Sequence, residues 1–278
     1  MDISFAVLSL LALTNCVRGW SGPHSRPSPV RASFSLAAGA DADADADTMP
    51  TKLKLLVGNL DKIGTACELV LASQSPRRKE ILTMMGLARF DQIPSPLDEG
   101  ALQVELAARP ITPREYARTL AERKALELCQ SLAGGEGGGC GGASSLPRLV
   151  LGSDTIVDLD GAILEKPEDR SDAAAMLRRL SGNWHMVHTG VALYLVRGGE
   201  VTLATSFTDT ANVKFAPLDE EDIVAYVETG EPDDKAGSYG IQGIGGQLVE
   251  RMEGDFFTVM GLPMHRVSKA LADAVADL

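Results

Sequence analysis

Three cations open a segment where physics disfavours them. In "LASQSPRRKEIL" (71–82) an apolar run turns through Ser73, Ser75 and Pro76 into a helical pattern. Its first turn holds Arg77, Arg78 and Lys79. A helix N-terminus already carries partial positive charge and prefers Asp or Glu, so arginine there is unfavourable unless an anion arrives. A strand, a Ser-x-Ser-Pro turn and a helix N-terminus also leave backbone N–H groups free, a ready anion site. With a phosphate chain bound, the same arginines become charge-assisted donors. Salt bridges from Arg77 and Arg78 to surface carboxylates are the competing reading of this cluster alone.

A second group of residues tips the balance toward an anion. In "LGSDTIV" Asp154 directly follows a buried apolar run. A carboxylate at the carboxyl end of a strand lies where open α/β sheets bind ligands. Lys166, in "LEKP", comes across a hairpin from that segment, and "PLDEG" adds Asp98 and Glu99 in a predicted loop. Carboxylates beside several cations suit a metal-bound polyphosphate, acids holding Mg²⁺ and cations holding phosphates.

The elements that must position these residues follow from periodicity and punctuation. "CELVLAS" (67–73) reads as a buried strand, and Ser75 and Pro76 as the cap and first residue of the next helix. Ile81, Leu82 and Met85 give that helix an apolar face, and Gly86 a stop. "TPREYARTLAERKALELCQSL" (112–132) reads as a helix capped by Thr112, with Tyr116, Leu120, Ala121, Lys124 and Leu128 along one side. "RLVLGSDTIVDLDGAILEKP" (148–167) reads as a strand ending at Asp154, a second strand, an Asp160-Gly161 turn and a third strand. A helix over 169–182, strands over 183–196, 200–210 and 211–216, and a helix over 218–230 follow. A glycine-bearing loop, strand-like stretches over 247–254 and 255–261, and a last helix from near Pro263 complete the chain. Strands and helices mix without regular βαβ alternation, which predicts one α/β domain with a mixed sheet.

Bulk properties narrow the function classes. The 278 residues carry a formal net charge of −12. A broad nucleic-acid groove needs a basic stripe, so nucleic acid is not an expected partner. Cys16, Cys67, Cys129 and Cys140 form no C-x-x-C pair, which argues against structural zinc and for a reduced compartment. The apolar stretch 4–13 is too short to span a bilayer, and no stable membrane association is expected. It suits a signal-peptide core, and the Arg- and Ser-bearing run that follows has the composition of an organellar transit peptide. The two together resemble the bipartite leader of algae with complex plastids. Residues 1–51 are therefore expected to be a leader, including the low-complexity "ADADADAD" (40–47), and 52–278 the folded body. The expected location is a plastid, with a secretory signal, or a mispredicted start codon and a cytoplasmic protein, as alternatives. The glycine-rich stretch 133–145 reads as a loop without assigned function.

The motifs themselves resemble a known family. "LASQSPRRKEIL", "GSDTIVDLDGAILEKP", "MLRRLSGNWHMVHTGVAL" and "DKAGSYGIQGIGG" stand in the order of the signature segments of the Maf proteins, nucleoside triphosphate pyrophosphatases. The resemblance runs from about Leu69 to the C-terminus. It implies an elongated mixed sheet with flanking helices, ITPase-like, its two lobes set around a cleft, in a homodimer. It also implies cleavage of a nucleoside triphosphate to monophosphate and pyrophosphate with a divalent metal cation, Mg²⁺ or Mn²⁺. Asp154 resembles the catalytic base. Arg78, Lys124 and Lys166 resemble the phosphate-binding cations, with Ser73 and Ser75 in the loop. Glu99 resembles the acidic partner that joins Asp154 at the metal. Arg77, Thr155 and Gln242 resemble the specificity residues of the dTTP/UTP branch, where the 7-methyl-GTP branch has Trp, Gln and Glu. The leader and the glycine-rich insert depart from the bacterial pattern.

Two other readings compete. "DLDGA" (158–162) is similar to the Asp-x-Asp-Gly-Thr motif of haloacid dehalogenase-type phosphatases, which would make Asp158 a nucleophile, but Ala162 replaces Thr. A nucleotide-binding regulator of division without activity is the non-enzyme alternative, although it would be marked by loss of the Asp154 carboxylate. The glycines of "GSYGIQGIGG" do not join a strand to a helix, so a dinucleotide site is disfavoured. His185 and His188 lie three apart in a strand, hence on opposite faces, and read as packing or surface residues.

Overall fold

The structure is a computed structural model that describes residues 55–133, 146–276 and 278. The expected leader, "ADADADAD", residues 134–145 of the glycine-rich stretch, Cys16 and Cys140 lie outside the described residues. In chain order the main elements are β1 (Glu68–Ala72), α1 (Pro76–Met84), β2 (Asp91–Gln92), α2 (Glu99–Ala107) and α3 (Pro113–Ala133). Next come β3 (Arg148–Leu159), β4 (Ala162–Leu164), α4 (Arg170–Leu180), β5 (Trp184–Arg197) and β6 (Glu200–Phe215). The chain ends with α5 (Glu220–Glu228), β7 (Val249–Glu253), α6 (Phe256–Met260) and α7 (Met264–Ala276).

The strands form one seven-stranded mixed sheet in the order β2-β1-β3-β5-β6-β7, with β4 also paired to β3. β1 is parallel to β2 and β3, and the other pairings are antiparallel. Side chains alternate between faces along a strand, and β3 shows what each face meets. Val150 and Ile156 point toward α3, where Ala121, Ala125 and Leu120 cover them. Leu149 and Leu151 pack with Ile81 and Leu82 of α1 and Val267 and Leu271 of α7. Farther along the same face, Val157 packs with Leu177 of α4 and Ile223 of α5. That face therefore carries two separate apolar cores toward opposite ends of the long strands, a two-lobed arrangement. Ser153 and Thr155 lie between them, and Asp154 points to the other face, toward Lys124 of α3.

The sheet leaves an opening at this point. β1 pairs with β3 only as far as Ala72↔Gly152, and β4 begins its pairing at Val157↔Leu164. Ser153–Ile156 therefore has a strand partner on the β5 side alone. On the covered face, α3 lies almost on the sheet backbone. A Cβ on Gly152 would sit 2.5 Å from the Ala121 carbonyl oxygen, and one on Gly190 2.1 Å from that of Ala117. Two strand glycines thus bring Lys124 of α3 down to the level of β3.

Several expectations are corrected. Asp154 lies in the middle of β3, because β5 pairs with β3 without a break from Arg148↔Val196 to Asp158↔Met186. The strand that ends beside Asp154 is β1. Residues 200–215 form one strand because β5 pairs with them from Glu200 to Lys214, through one bulge at Ala204. Asp98 and Glu99 are not in a loop; Asp98 Oδ1 accepts from Ala101 N and starts α2, of which Glu99 is the first residue. Residues 255–261 are not a strand, because Asp255 caps Phe257 N and Gly261, in the left-handed region, stops the short helix α6. Ser75 stands at the cap position of α1 but makes no side-chain cap; Ser73 Oγ accepts from Ser75 N instead.

Candidate active site

The opening beside Ser153–Ile156 is the floor of a cleft of about 870 Å³. The ten residues that the family resemblance marks line it: Ser73, Ser75, Arg77, Arg78, Glu99, Lys124, Asp154, Thr155, Lys166 and Gln242; Lys79 and Asp98 do not. The 73–75 turn is held from behind by Gln92, whose Nε2 donates to the carbonyl oxygens of Ser73 (2.9 Å) and Ser75 (3.3 Å). Nothing in the motif pattern points to Gln92.

The arginine pair divides its work. Arg78 turns inward, with Nε donating to Gly261 O (2.9 Å), Nη1 to Ser73 Oγ (3.1 Å) and Nη2 to Thr155 Oγ1 (3.2 Å). Burial pushes its pKa down, and Asp154 pushes it back up. Arg77 turns across the cleft mouth, and its Nη1 lies 2.8 Å from Asp234 Oδ2. Thr155 also shares a hydrogen bond with Thr189 Oγ1 at 2.9 Å, so of the three expected specificity residues it sits with Arg78. Arg77 instead joins the segment that leads to Gln242.

At the floor, Lys124 Nζ lies 2.5 Å from Asp154 Oδ1 and 2.7 Å from Glu99 Oε2. Lys124 and Asp154 are buried. Burial pushes the Lys124 pKa down, but the two carboxylates outweigh it and the net shift is upward. Sequence reasoning missed a third carboxylate, Glu165. Burial, then the charge of Asp154, push it up to about 7, while a hydrogen bond with Tyr116 holds it down. Its Oε1 is buried with no hydrogen-bond partner. The signal was present in "LEKP", where attention goes to the neighbouring lysine.

The competing residues are otherwise engaged. Asp158 is buried; its Oδ1 accepts from Gly161 N at 2.7 Å and its Oδ2 lies 3.3 Å from His188 Nε2. That carboxylate holds the β3–β4 hairpin, and it does not line the cleft. His185 and His188 are buried packing residues on opposite faces of β5. His185 Nε2 lies 2.9 Å from Tyr239 Oη, and burial pushes its pKa down to about 4, which keeps it neutral. Cys67 and Cys129 are buried free thiols.

A mixed α/β sheet with buried cations and carboxylates around one open cleft defines a protein built to take a small polyanion. The Maf-like protein family matches residues 68–274, and the chain belongs to that family. It is 46% identical over 201 residues to a dTTP/UTP pyrophosphatase of Methylobacillus flagellatus, covering 72% of this chain and 89% of the relative. It is 43% identical over 205 residues to a dTTP/UTP pyrophosphatase of Bacillus velezensis, covering 74% and 95%. With a dTTP/UTP pyrophosphatase of Aquifex aeolicus the identity is 40% over 204 residues, covering 73% and 94%.

Proposed function

We propose that this protein hydrolyses dTTP and UTP to the nucleoside monophosphate and pyrophosphate. The observation that carries the reading is the buried Asp154 carboxylate in a cleft that also holds Arg78, Lys124 and Lys166. Water oxygen attacks the α-phosphorus, Asp154 takes the proton, and the α–β anhydride bond breaks as pyrophosphate leaves. Preorganised cations stabilise the charge that collects on the leaving group, and such electrostatic stabilisation commonly contributes more to the rate than any other effect. Arg78 is anchored by three hydrogen bonds, so little reorganisation accompanies that step. Ser73, Ser75 and the first turn of α1 add neutral donors for the phosphates.

A divalent cation fits the donor set. Asp154 and Glu99 converge on one positive charge, the Lys124 ammonium, and two hard carboxylates suit a Mg²⁺ that takes waters and substrate phosphates as its other ligands. Among the described residues, no three His, Cys, Asp or Glu side chains are gathered to hold a metal. Asp154 and Glu99 would hold Mg²⁺ or Mn²⁺, which when bound supplies Lewis-acid neutralisation of phosphate charge. For base choice, Gln242 offers an amide donor and a carbonyl acceptor. Uracil and thymine present an acceptor beside a donor on one edge, and cytosine reverses both. Arg77 stands at the same end of the cleft.

The test is pyrophosphate release by the protein from Lys52 onward, over a panel of triphosphates with Mg²⁺ or Mn²⁺. UTP and dTTP are expected to lead CTP by at least about tenfold in kcat/KM, the weight of one buried mismatch. Diphosphate and single phosphate as products would sink the reading. The leader is proposed to deliver the body to a plastid, and a fluorescent fusion of residues 1–50 that stays in the cytosol of the source cell would count against that. Among the described residues no helix is long and apolar enough to cross a membrane.

A further inference from the structure

The base end of the cleft is tied together by one short segment, Glu231–Lys235. The Glu231 carboxylate grips the "GIQGIGG" loop just beyond Gln242: Oε2 accepts from Ile244 N and Oε1 from Gly245 N, each at 2.9 Å. Tyr226 Oη donates to Oε1 as well, at 2.9 Å, and itself accepts from Gly240 N at 3.1 Å. Three residues on, Asp234 holds Arg77: its Oδ2 accepts from Nη1 at 2.8 Å, and its backbone oxygen from Nη2 at 3.3 Å. Lys235 closes the circuit, with Nζ donating to Asp234 Oδ1 (2.6 Å) and to Glu231 O (2.5 Å).

The glycines of this motif now have a reason. A Cβ on Gly243 would lie 2.3 Å from Glu231 Oε2, and one on Gly240 2.7 Å from Lys235 Cε. A Cβ on Gly245 would lie 2.4 Å from Tyr226 Oη. They are bare so that these side chains can reach the loop backbone. The spacing that resembled a dinucleotide fingerprint is a seat for an internal carboxylate.

We propose that Glu231 and Asp234 are positioning residues for base selection: Glu231 fixes the loop of Gln242, Asp234 fixes Arg77, and together they set the distance between the two groups at the base end. The proposal rests on the reading that Gln242 and Arg77 meet the base. Glu231 lies outside the cleft lining, and Asp234, at its mouth, acts through the Arg77 guanidinium that it holds. Glu231→Gln would turn an amide donor toward one of the two backbone N–H donors, and Asp234→Asn would weaken the grip on the Arg77 guanidinium. Both loosen the base end and leave the Lys124–Asp154–Arg78 floor alone.

The experiment measures kcat and KM for UTP, dTTP and CTP with the wild type, Glu231→Gln, Asp234→Asn and Gln242→Glu. The two positioning variants are expected to lower the UTP:CTP ratio of kcat/KM about fivefold, the equivalent of one lost hydrogen bond. Turnover of CTP at saturation should stay within about threefold of wild type, because the reacting end is untouched. Parallel loss on UTP and CTP would mean a merely structural role and overturn the proposal. Asp234 is largely exposed, so Asp234→Asn remains informative even if Glu231→Gln fails to fold. If Gln242→Glu changes the ratio and both positioning variants leave it intact, positioning is wrong and the base reading stands. If Gln242→Glu also leaves the ratio intact, the base reading fails and takes the proposal with it.

Discussion

Lys124 and Asp154 form a buried pair, Nζ to Oδ1 at 2.5 Å, at the point where β1 stops and leaves β3 with an open edge. The pair joins the two halves of the chemistry, a carboxylate that can take a proton and a cation that can meet a phosphate.

Lys124→Met should lower both stability and turnover. Breaking a buried pair by deleting one partner typically costs about 3–5 kcal/mol, and the half-exposure of Glu99 puts this case toward the lower figure. A thermal melt without nucleotide reads that loss. Because the Lys124 pKa is raised on folding, its contribution is complete below the unfolded value and disappears as pH rises through the folded one. The melting difference between wild type and variant should therefore shrink in strong alkali. Turnover should fall about 10²–10³-fold, the usual effect of removing one preorganised charge-stabilising donor.

Asp154→Asn keeps the shape and removes the proposed base. General-base catalysis is commonly worth about 10²–10⁴-fold, and steady-state turnover of UTP should drop within that range. Folding should survive, since Asn still accepts from Lys124. Near-normal turnover would reassign the base to another residue, Glu99 first.

Glu165 predicts a pH dependence of stability in metal-free buffer. Its folded pKa is raised to about 7 from 4.5, so between those values the native state binds more protons than the unfolded state. Stability must then fall as pH rises from about 4.5 to about 7. Urea midpoints across that range should decline more in wild type than in Glu165→Gln, which is neutral throughout. Equal slopes would show that Glu165 ionises normally.

How much of this was legible depends on what each residue needed as a neighbour. Arg77, Arg78 and Asp154 stood out because their types are unusual for their places, as with arginine at a helix start, whereas Lys124 and Gln242 were marked only by the family resemblance. The mid-strand position of Asp154 was not legible, because it depends on β5, about thirty residues on, carrying β3 through. The helix at Phe256–Met260 reads as a strand from its aromatic and β-branched residues; the Asp255 cap and Gly261 stop decide otherwise. Glu165 and Asp234 look like ordinary surface acids in sequence. Only the fold sets one against Tyr116 and Asp154 and the other against Arg77.

Gly190 and Gly152 carry the last prediction, because they connect the fold to the chemistry. Neither has a left-handed backbone; each is bare because α3 lies against it. A methyl at Gly190 would meet the Ala117 carbonyl at 2.1 Å, and one at Gly152 the Ala121 carbonyl at 2.5 Å and Ala125 Cβ at 2.8 Å. These are backbone and Cβ atoms, so the helix itself must move. Overpacking of that kind costs about 1–3 kcal/mol, occasionally more. The shift would also draw Lys124 away from Asp154, because Lys124 stands one residue from Ala125 on the displaced stretch. Gly152→Ala should therefore lower turnover well beyond what its loss of stability explains, when assayed at a temperature where the variant remains folded. Gly161→Ala is the control, since Gly161 has a positive φ but open space around its Cβ. It should cost stability through backbone strain and leave the turnover of the folded fraction unchanged. If the two variants lose turnover equally at matched stability, the close approach of α3 is not what sets Lys124 against Asp154.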